Sequence, residues 1–134
     1  MNRTMARENA FLLLFERFCK NDETAEEIYV KAVEYRDIKC DDFVRTLFFG
    51  VNENSKIISE EIDKHLIGRK RTRLSRVSEA ILNLSVFEMM FLDDVPLRVS
   101  INEAVNLSKK YDDEKSYAFI NGVLNSIAKE LENQ

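Results

Sequence analysis

Apolar residues recur at the helical period along most of the chain. The first segment carries one such stripe, formed by Ala10, Phe11, Leu14, Phe15 and Phe18. Because 3.6 residues make one helical turn, this spacing predicts an amphipathic helix whose apolar side faces a core. Arg3, Arg7 and Arg17 fall outside the stripe and are expected on the solvent side.

Two short polar motifs predict where helices begin. Thr24 and Glu27 have the spacing of a capping box, in which each side chain accepts a hydrogen bond from the backbone N–H of the other residue. Ser100 and Glu103 have the same spacing. One helix is therefore expected to begin at Thr24 and another at Ser100.

A long helical run with one apolar face is expected from Asp41 or Asp42 to Leu66. Gly50 and the polar residues 52–56 interrupt its pattern, and glycine weakens a helix because it loses much backbone freedom on folding. The run is therefore expected as one long helix or as two shorter ones.

The most apolar helical pattern begins at Leu74 and extends to Phe91. Pro96 ends any continuation, because proline lacks the backbone N–H and restricts the residue before it. A final helix is expected to reach Leu131, and Gly122 within it is expected to allow close approach of another helix.

The composition agrees with an all-α fold. The 134 residues include only three glycines and one proline, too few turn residues for a β-sandwich or a dinucleotide-binding fold. The length predicts one domain over residues 1–134, a compact bundle of six or seven helices. No apolar run approaches the roughly 20 residues that span a bilayer, and no secretory signal opens the chain. A soluble, cytoplasmic protein without a membrane partner is expected.

Positive charge is concentrated in one short segment, residues 64–76, here called the basic stretch. The whole chain has a formal net charge of -4, yet this stretch holds six basic residues and no acidic one. They are Lys64, Arg69, Lys70, Arg71, Arg73 and Arg76. Basic residues that neutralise phosphates release condensed counterions, so the stretch predicts phosphate or nucleic-acid binding. A solvated loop is the alternative.

Residue types of catalytic and metal sites are scarce. His65 is the only histidine, and it is expected to be an ordinary surface residue at the end of a helix. Cys19 and Cys40 have the spacing of neither a zinc site nor a thioredoxin-like site. Glu88, on an apolar helix face, is expected to accept hydrogen bonds from a neighbouring helix end. We therefore expect no catalytic residues, no cofactor and no metal site.

Three blocks of the sequence occur in the order and spacing of one known family. They are residues Ala6–Ala10, residues Leu74–Met89, and the more specific C-terminal block Val95–Tyr111 followed by Phe119–Leu124. On these blocks the whole chain resembles the NusB family of bacterial transcription antitermination factors.

The resemblance implies an all-helical protein of two small packed sub-bundles, without catalytic activity. Members of the family pair with ribosomal protein S10, which acts as the factor called NusE, and the pair binds the boxA element of nascent RNA. Together they help to assemble the complex that keeps RNA polymerase from terminating, notably on ribosomal RNA operons. Members occur as monomers and as homodimers, so the resemblance leaves the oligomeric state open.

The resemblance also implies RNA-contacting residues. In the family, an arginine-rich start of the first helix contacts RNA, and Arg3 and Arg7 match it here. Thr4 stands where a further arginine is usual. We expect the part of the basic stretch from Arg69 to Arg76 to compensate for that missing charge.

The partner-binding face of the family corresponds here to Ser78, Lys115 and Phe119. Relatives can carry an acid where this chain has Lys115, so a changed charge pairing with ribosomal protein S10 is expected. Phe119 also fits the apolar stripe of the last helix, so periodicity alone favours a core position for it.

Two other functions are alternatives at this point. The chain also resembles the NusB-like N-terminal domain of some ribosomal RNA methyltransferases. A helical scaffold that binds only protein, with the basic stretch serving solubility, is the other. RNA binding distinguishes that scaffold from an antitermination factor.

Overall fold

The computed structural model describes residues 1–66, 68 and 74–134, and every helix in this part of the chain is an α-helix. Four members of the basic stretch, Arg69, Lys70, Arg71 and Arg73, lie outside the described residues. The helices are α1 (Arg3–Cys19), α2 (Ala25–Tyr35), α3 (Asp42–Glu53), α4 (Ser55–Lys64), α5 (Arg76–Phe91), α6 (Leu97–Tyr111) and α7 (Glu114–Glu132). The prediction of an all-α bundle of six or seven helices is confirmed.

Helix α5 lies at the centre of the bundle, in contact with α1, α3, α4, α6 and α7. Eleven of its 16 residues are buried, which agrees with its nearly continuous apolar sequence. Helix α1 packs against α2 and α3, helices α5 to α7 pack against one another, and α4 lies against α3, α5 and α7. The two predicted sub-bundles therefore meet along α5. None of the described helices is long and apolar enough to cross a membrane.

Local capping signals predict two helix starts correctly. The Thr24 side chain accepts a hydrogen bond from the Glu27 backbone N–H at 3.1 Å, where α2 begins. The Asp41 carboxylate accepts from the Val44 N–H at 2.9 Å and caps α3 in the same way. Each bond satisfies a backbone donor that the first turn of a helix leaves free.

The predicted helix start at Ser100 is wrong. Helix α6 begins at Leu97, immediately after Pro96, one turn earlier than the capping motif indicates. Pro96 is the N-cap of α6, and its missing N–H costs nothing there because the N–H groups at a helix start have no partner within the helix. Ser100 is buried inside α6, where its hydroxyl is available for contacts with neighbouring helices.

Gly50 and Gly122 have different roles from those expected. The long run divides at Asn54, and Gly50 lies inside α3, where a Cβ would overlap the ring of Phe87. Gly50 therefore permits the close packing of α3 on α5. A Cβ at Gly122 would meet no atom of the described residues within 4 Å, so the predicted close approach of another helix to Gly122 is wrong.

Candidate nucleic-acid and protein interface

Arg3 opens helix α1 on the surface of the molecule. Its side chain is 54% exposed, its guanidinium lies 4.4 Å from the centre of the Phe43 ring, and one nitrogen lies 3.5 Å from an Asp94 oxygen. An exposed ion pair of this kind is weak, since water solvates both charges. The guanidinium of Arg3 is therefore available to a phosphate.

Arg7, one turn further along α1, is buried. Its side chain is only 5% exposed, and its Nε donates to both carboxylate oxygens of Glu88, at 2.9 and 3.0 Å. Its Nη2 also lies 2.9 Å from Glu88 Oε1. The prediction that Arg7 lies outside the buried stripe is wrong, because the carboxylate of Glu88 on α5 draws the guanidinium inward. The guanidinium of Arg7 is not exposed, so it is not accessible for the predicted contact with RNA.

Burial dominates the electrostatics of Glu88. Removal from water raises the pKa of this carboxyl above its usual value, and the hydrogen bonds and charge of Arg7 offset part of the rise. The Ser100 hydroxyl adds a donor at 3.4 Å, and the Ser85 hydroxyl donates to the Ser100 carbonyl at 3.1 Å. The expected partner of Glu88 was a helix end, but the structure gives it the side chains of Arg7 and Ser100. This network joins α1, α5 and α6.

Three further hydrogen bonds hold the exposed side of α1 against α6. The Thr4 hydroxyl donates to Glu103 at 3.0 Å, so the residue that replaces an arginine of the family pattern has a structural contact. Glu8 accepts hydrogen bonds from Lys110 at 2.6 Å and from Tyr111 at 2.9 Å. The hydrogen bond from Lys110 holds the pKa of Glu8 below its usual value. The first two turns of α1 are therefore joined to α6 by side-chain hydrogen bonds.

Among the described residues, the structure does not bring together Arg3 and Arg76, the two exposed arginines predicted to contact RNA. Arg76 is the first residue of α5 and is exposed, with its Nη1 3.0 Å from Glu79 one turn later. Arg3 contacts Asp94, beyond the other end of α5. Since the 16 residues of α5 extend for about 24 Å, an RNA that touched both arginines would have to follow the length of this helix.

Ser78 lies at a junction of three helices. Its hydroxyl donates to Asp112 at 2.9 Å, and the hydroxyl of Ser75, the N-cap residue of α5, donates to the same oxygen at 3.1 Å. Asp112 ends α6 and Asp113 caps α7, so this junction fixes the starts of α5 and α7 relative to each other. Ser78 itself is only 4% exposed, so little of its surface is accessible to a partner.

Lys115 and Phe119 lie on successive turns of α7 next to this junction. Lys115 is exposed, whereas Phe119 is half-buried and packs against the core. Phe119 also lines a groove of about 250 Å³ together with His65, Gly122 and Ser126. The three residues predicted for the partner face therefore share one end of the bundle, where Lys115 is the most accessible.

The comparisons with known proteins concern the whole chain. The sequence model of the NusB family matches residues 4–129. The transcription antitermination protein NusB of Bacillus licheniformis is 43% identical over 132 residues, which cover 98% of this chain and 100% of that protein. The protein of the same name from Bacillus subtilis is 38% identical over 132 residues, covering 98% of each chain.

Two solved structures resemble the fold closely. NusB of T. maritima superposes with a TM-score of 0.87 at 32% identity, covering 97% of this chain and 92% of its own. A chain in the crystal structure of antitermination factors NusB and NusE in complex with double-stranded RNA superposes with a TM-score of 0.85 at 34% identity, covering 96% of each chain. Both matches therefore include both sub-bundles.

Proposed function

The chain belongs to the NusB family, and from this membership we propose that it is a transcription antitermination factor that binds boxA RNA together with ribosomal protein S10. The observation that carries the proposal is the match over 96% of both chains to a structure of NusB and NusE with RNA. The chain therefore has nearly the complete fold of the protein it matches in that complex. The pair would join the antitermination complex on RNA polymerase, notably at ribosomal RNA operons.

The relatives favour this function over the methyltransferase alternative. The similar proteins from both Bacillus species are antitermination proteins, and they align over 98% or more of their own length. We assign the chain no catalytic reaction and no cofactor, and we place its action in the cytoplasm, with the RNA polymerase that it serves.

For the RNA surface, we propose the exposed start of α1 at Arg3 and the basic stretch with Arg69, Lys70, Arg71, Arg73 and Arg76. Arg3 and Arg76 both present guanidinium groups that pair only with exposed or partly exposed carboxylates. Such pairs exchange readily for a phosphate. Arg7 contributes indirectly, because its ion pair with Glu88 fixes the helix that presents Arg3.

For the surface that binds ribosomal protein S10, we propose the end of the bundle where α5 and α7 begin. Lys115 supplies an exposed charge and Phe119 a half-buried aromatic ring beside the groove. Ser78 acts from within, by fixing the junction through Asp112.

A titration of labelled boxA RNA tests the proposal, with a scrambled RNA of equal length as control and with each RNA measured in the presence and absence of ribosomal protein S10. We expect preference for boxA and about tenfold or greater strengthening by ribosomal protein S10, the range of ordinary coupling between two sites. Equal binding of both RNAs would mean that the protein attracts RNA phosphates without recognising boxA. Binding of ribosomal protein S10 without any RNA affinity would instead identify a protein-only scaffold.

A further inference from the structure

A cluster of three titratable side chains lies between α4 and α7. His65 Nε2 lies 3.6 Å from Glu61 Oε1 and 3.6 Å from Glu130 Oε2. Glu61 and His65 come from the end of α4, and Glu130 comes from the last turns of α7. All three ligand atoms lie within 4.8 Å of one another.

These three facing atoms are buried without a hydrogen-bond partner among residues 1–66, 68 and 74–134. The side chain of Glu61 is 8% exposed and that of His65 is 12% exposed. Buried polar atoms are nearly always paired, because each lost hydrogen bond to water costs free energy. Three such atoms directed at one point indicate that a cation belongs between them.

Ser126 orients the imidazole ring of His65. Its Oγ lies 2.7 Å from Nδ1, close enough for Nδ1–H to donate to the hydroxyl. Nε2 then faces the two carboxylates with its lone pair or with a second proton. A proton on Nε2 could be donated to only one of them, and both oxygens lie at 3.6 Å, beyond ordinary hydrogen-bond length. A metal ion placed between them would be bound by all three atoms at once.

We propose that Glu61, His65 and Glu130 form a binding site for a divalent transition-metal cation of the Zn²⁺ class. Tetrahedral Zn²⁺ with nitrogen and oxygen ligands near 2.0–2.2 Å places neighbouring ligand atoms about 3.3–3.5 Å apart. The two 3.6 Å distances from Nε2 therefore need only a small contraction, and the two carboxylate oxygens, which lie within 4.8 Å of each other, would close to the same spacing around the ion. Water would take the fourth position. A hydrogen bond from Nδ1–H to Ser126 would orient the ring, as the hydrogen bond at the other ring nitrogen does in most metal-binding histidines.

Lys64 does not block this site. Its Nζ lies 2.8 Å from Glu61 Oε2 and 3.2 Å from Glu130 Oε1, which are the oxygens that point away from His65. The lysine side chain is 56% exposed, so it can stay on these outer oxygens or move into water when the ion binds. The bound ion would tie the end of α4 to α7, beside the groove that His65 shares with Phe119.

Nitrogen NMR of the imidazole tests the proposal on the untagged, chelator-treated full chain. Because His65 is the only histidine, one pair of imidazole nitrogen resonances reports on this site alone, whatever the two cysteines bind. We expect stoichiometric Zn²⁺ to shift the Nε2 resonance far more than that of Nδ1, and Mg²⁺ to shift neither, since Mg²⁺ prefers oxygen ligands. No response of Nε2 to excess Zn²⁺ would overturn the proposal.

Matched variants separate ligation from structure. Glu130→Gln should weaken the Zn²⁺ affinity measured at Nε2 by at least the roughly 10- to 100-fold typical of losing a supporting contact, and Ser126→Ala by about tenfold. Glu132→Gln, the same change at an exposed position of the same helix, should leave the affinity unchanged. Circular dichroism verifies that each variant is folded. Equal Zn²⁺ affinity in Glu130→Gln and Glu132→Gln would contradict the assigned ligands.

Discussion

Arg3 and Arg7 lie one turn apart on α1, yet they occupy opposite environments. The side chain of Arg3 is 54% exposed and pairs with an exposed aspartate, while that of Arg7 is 5% exposed and pairs with buried Glu88. The two have the same side-chain chemistry, and both lie near the start of α1, where the sequence pattern suggests a uniform basic surface. The partner on the neighbouring helix decides which of them can meet a phosphate.

The difference separates a structural arginine from the arginine for which we propose an RNA contact. The buried pair fixes α1 against α5 and α6, and the exposed residue uses that fixed position. A buried ion pair need not add stability by itself, because desolvation opposes the attraction of the charges. Breaking it is costly, however, since one charge then stays buried without a partner. Substitutions at the two arginines should therefore change different measured quantities.

The largest effect is expected from Arg7→Met. This change leaves the Glu88 carboxylate buried without its cation, and we expect a loss of about 3–5 kcal/mol in the free energy of unfolding near neutral pH. Urea unfolding followed by circular dichroism measures it. The double variant Arg7→Met with Glu88→Leu removes both charges and should recover most of the loss. A single variant within about 1 kcal/mol of the parent would show that the pair is not structurally important.

The pH dependence of stability in Arg7→Met provides a second test of the buried pair. A carboxyl whose pKa is raised in the folded state favours folding below its unfolded-state pKa, and this contribution is lost as the pH rises through the folded-state pKa. Burial already raises the pKa of Glu88, and Arg7→Met removes the charge that offsets the rise. The destabilisation by Arg7→Met should therefore be smaller near pH 5 than near pH 8. An equal loss at both pH values would exclude ionised Glu88 as its cause.

The basic stretch tests whether charges outside α1 also contact RNA. Replacing Arg69, Lys70, Arg71 and Arg73 together by alanine should weaken RNA binding strongly while leaving helicity unchanged. About five phosphate contacts give a log-log salt slope near −3.5 for single-stranded RNA, and each lost contact flattens it by about 0.7. Affinity measured between low and moderate salt provides this slope. An unaltered slope would remove the stretch from the RNA surface.

The side chain of Phe119 is half-buried, so its exposure lies between that of Arg3 and that of Arg7. Phe119→Ala should weaken binding of ribosomal protein S10 by about thirtyfold, which corresponds to about 2 kcal/mol. Its stability cost should be about 1–2 kcal/mol, below the 3–5 kcal/mol of a fully buried phenylalanine. Calorimetry with ribosomal protein S10 and thermal unfolding measure the two effects. Phe91→Ala, an exposed aromatic change at the far end of α5, is the control.

If Phe119→Ala lowers stability strongly but leaves the affinity for ribosomal protein S10 intact, Phe119 belongs to the core alone. Lys115→Asp at the adjacent exposed position should change that affinity through charge pairing without destabilising the free protein. If both variants bind ribosomal protein S10 as tightly as the parent, this end of the bundle is not the partner surface.

The fold could be predicted to the extent that it depends on local sequence. The apolar stripe of α1 and the caps at Thr24 and Asp41 act within a few residues, so their pattern is sufficient. At α6 two start signals compete one turn apart. Pro96 prevails over Ser100, whose hydroxyl is used instead by the buried network around Glu88.

The site could be predicted less well, because its key contacts are distant in sequence. Arg7 and Glu88 are 81 residues apart, and no periodicity in α1 shows that an acid on α5 faces it. The cluster at His65 likewise joins α4 to α7, and its single histidine fits no linear metal motif. The one available signal was an acid on an apolar face, which occurs at both Glu61 and Glu88.

The salt dependence of RNA binding tests most directly whether exposure separates the two arginines. The measurement compares the log-log salt slope of the parent with those of Arg3→Ala and of the double variant Arg7→Met with Glu88→Leu. We predict that Arg3→Ala flattens the slope by about 0.7, the loss of one phosphate contact, and that the double variant retains the parent slope. A parent slope in Arg3→Ala, together with a flattened slope in the folded double variant, would contradict the account, because the buried arginine would then be the one that meets RNA.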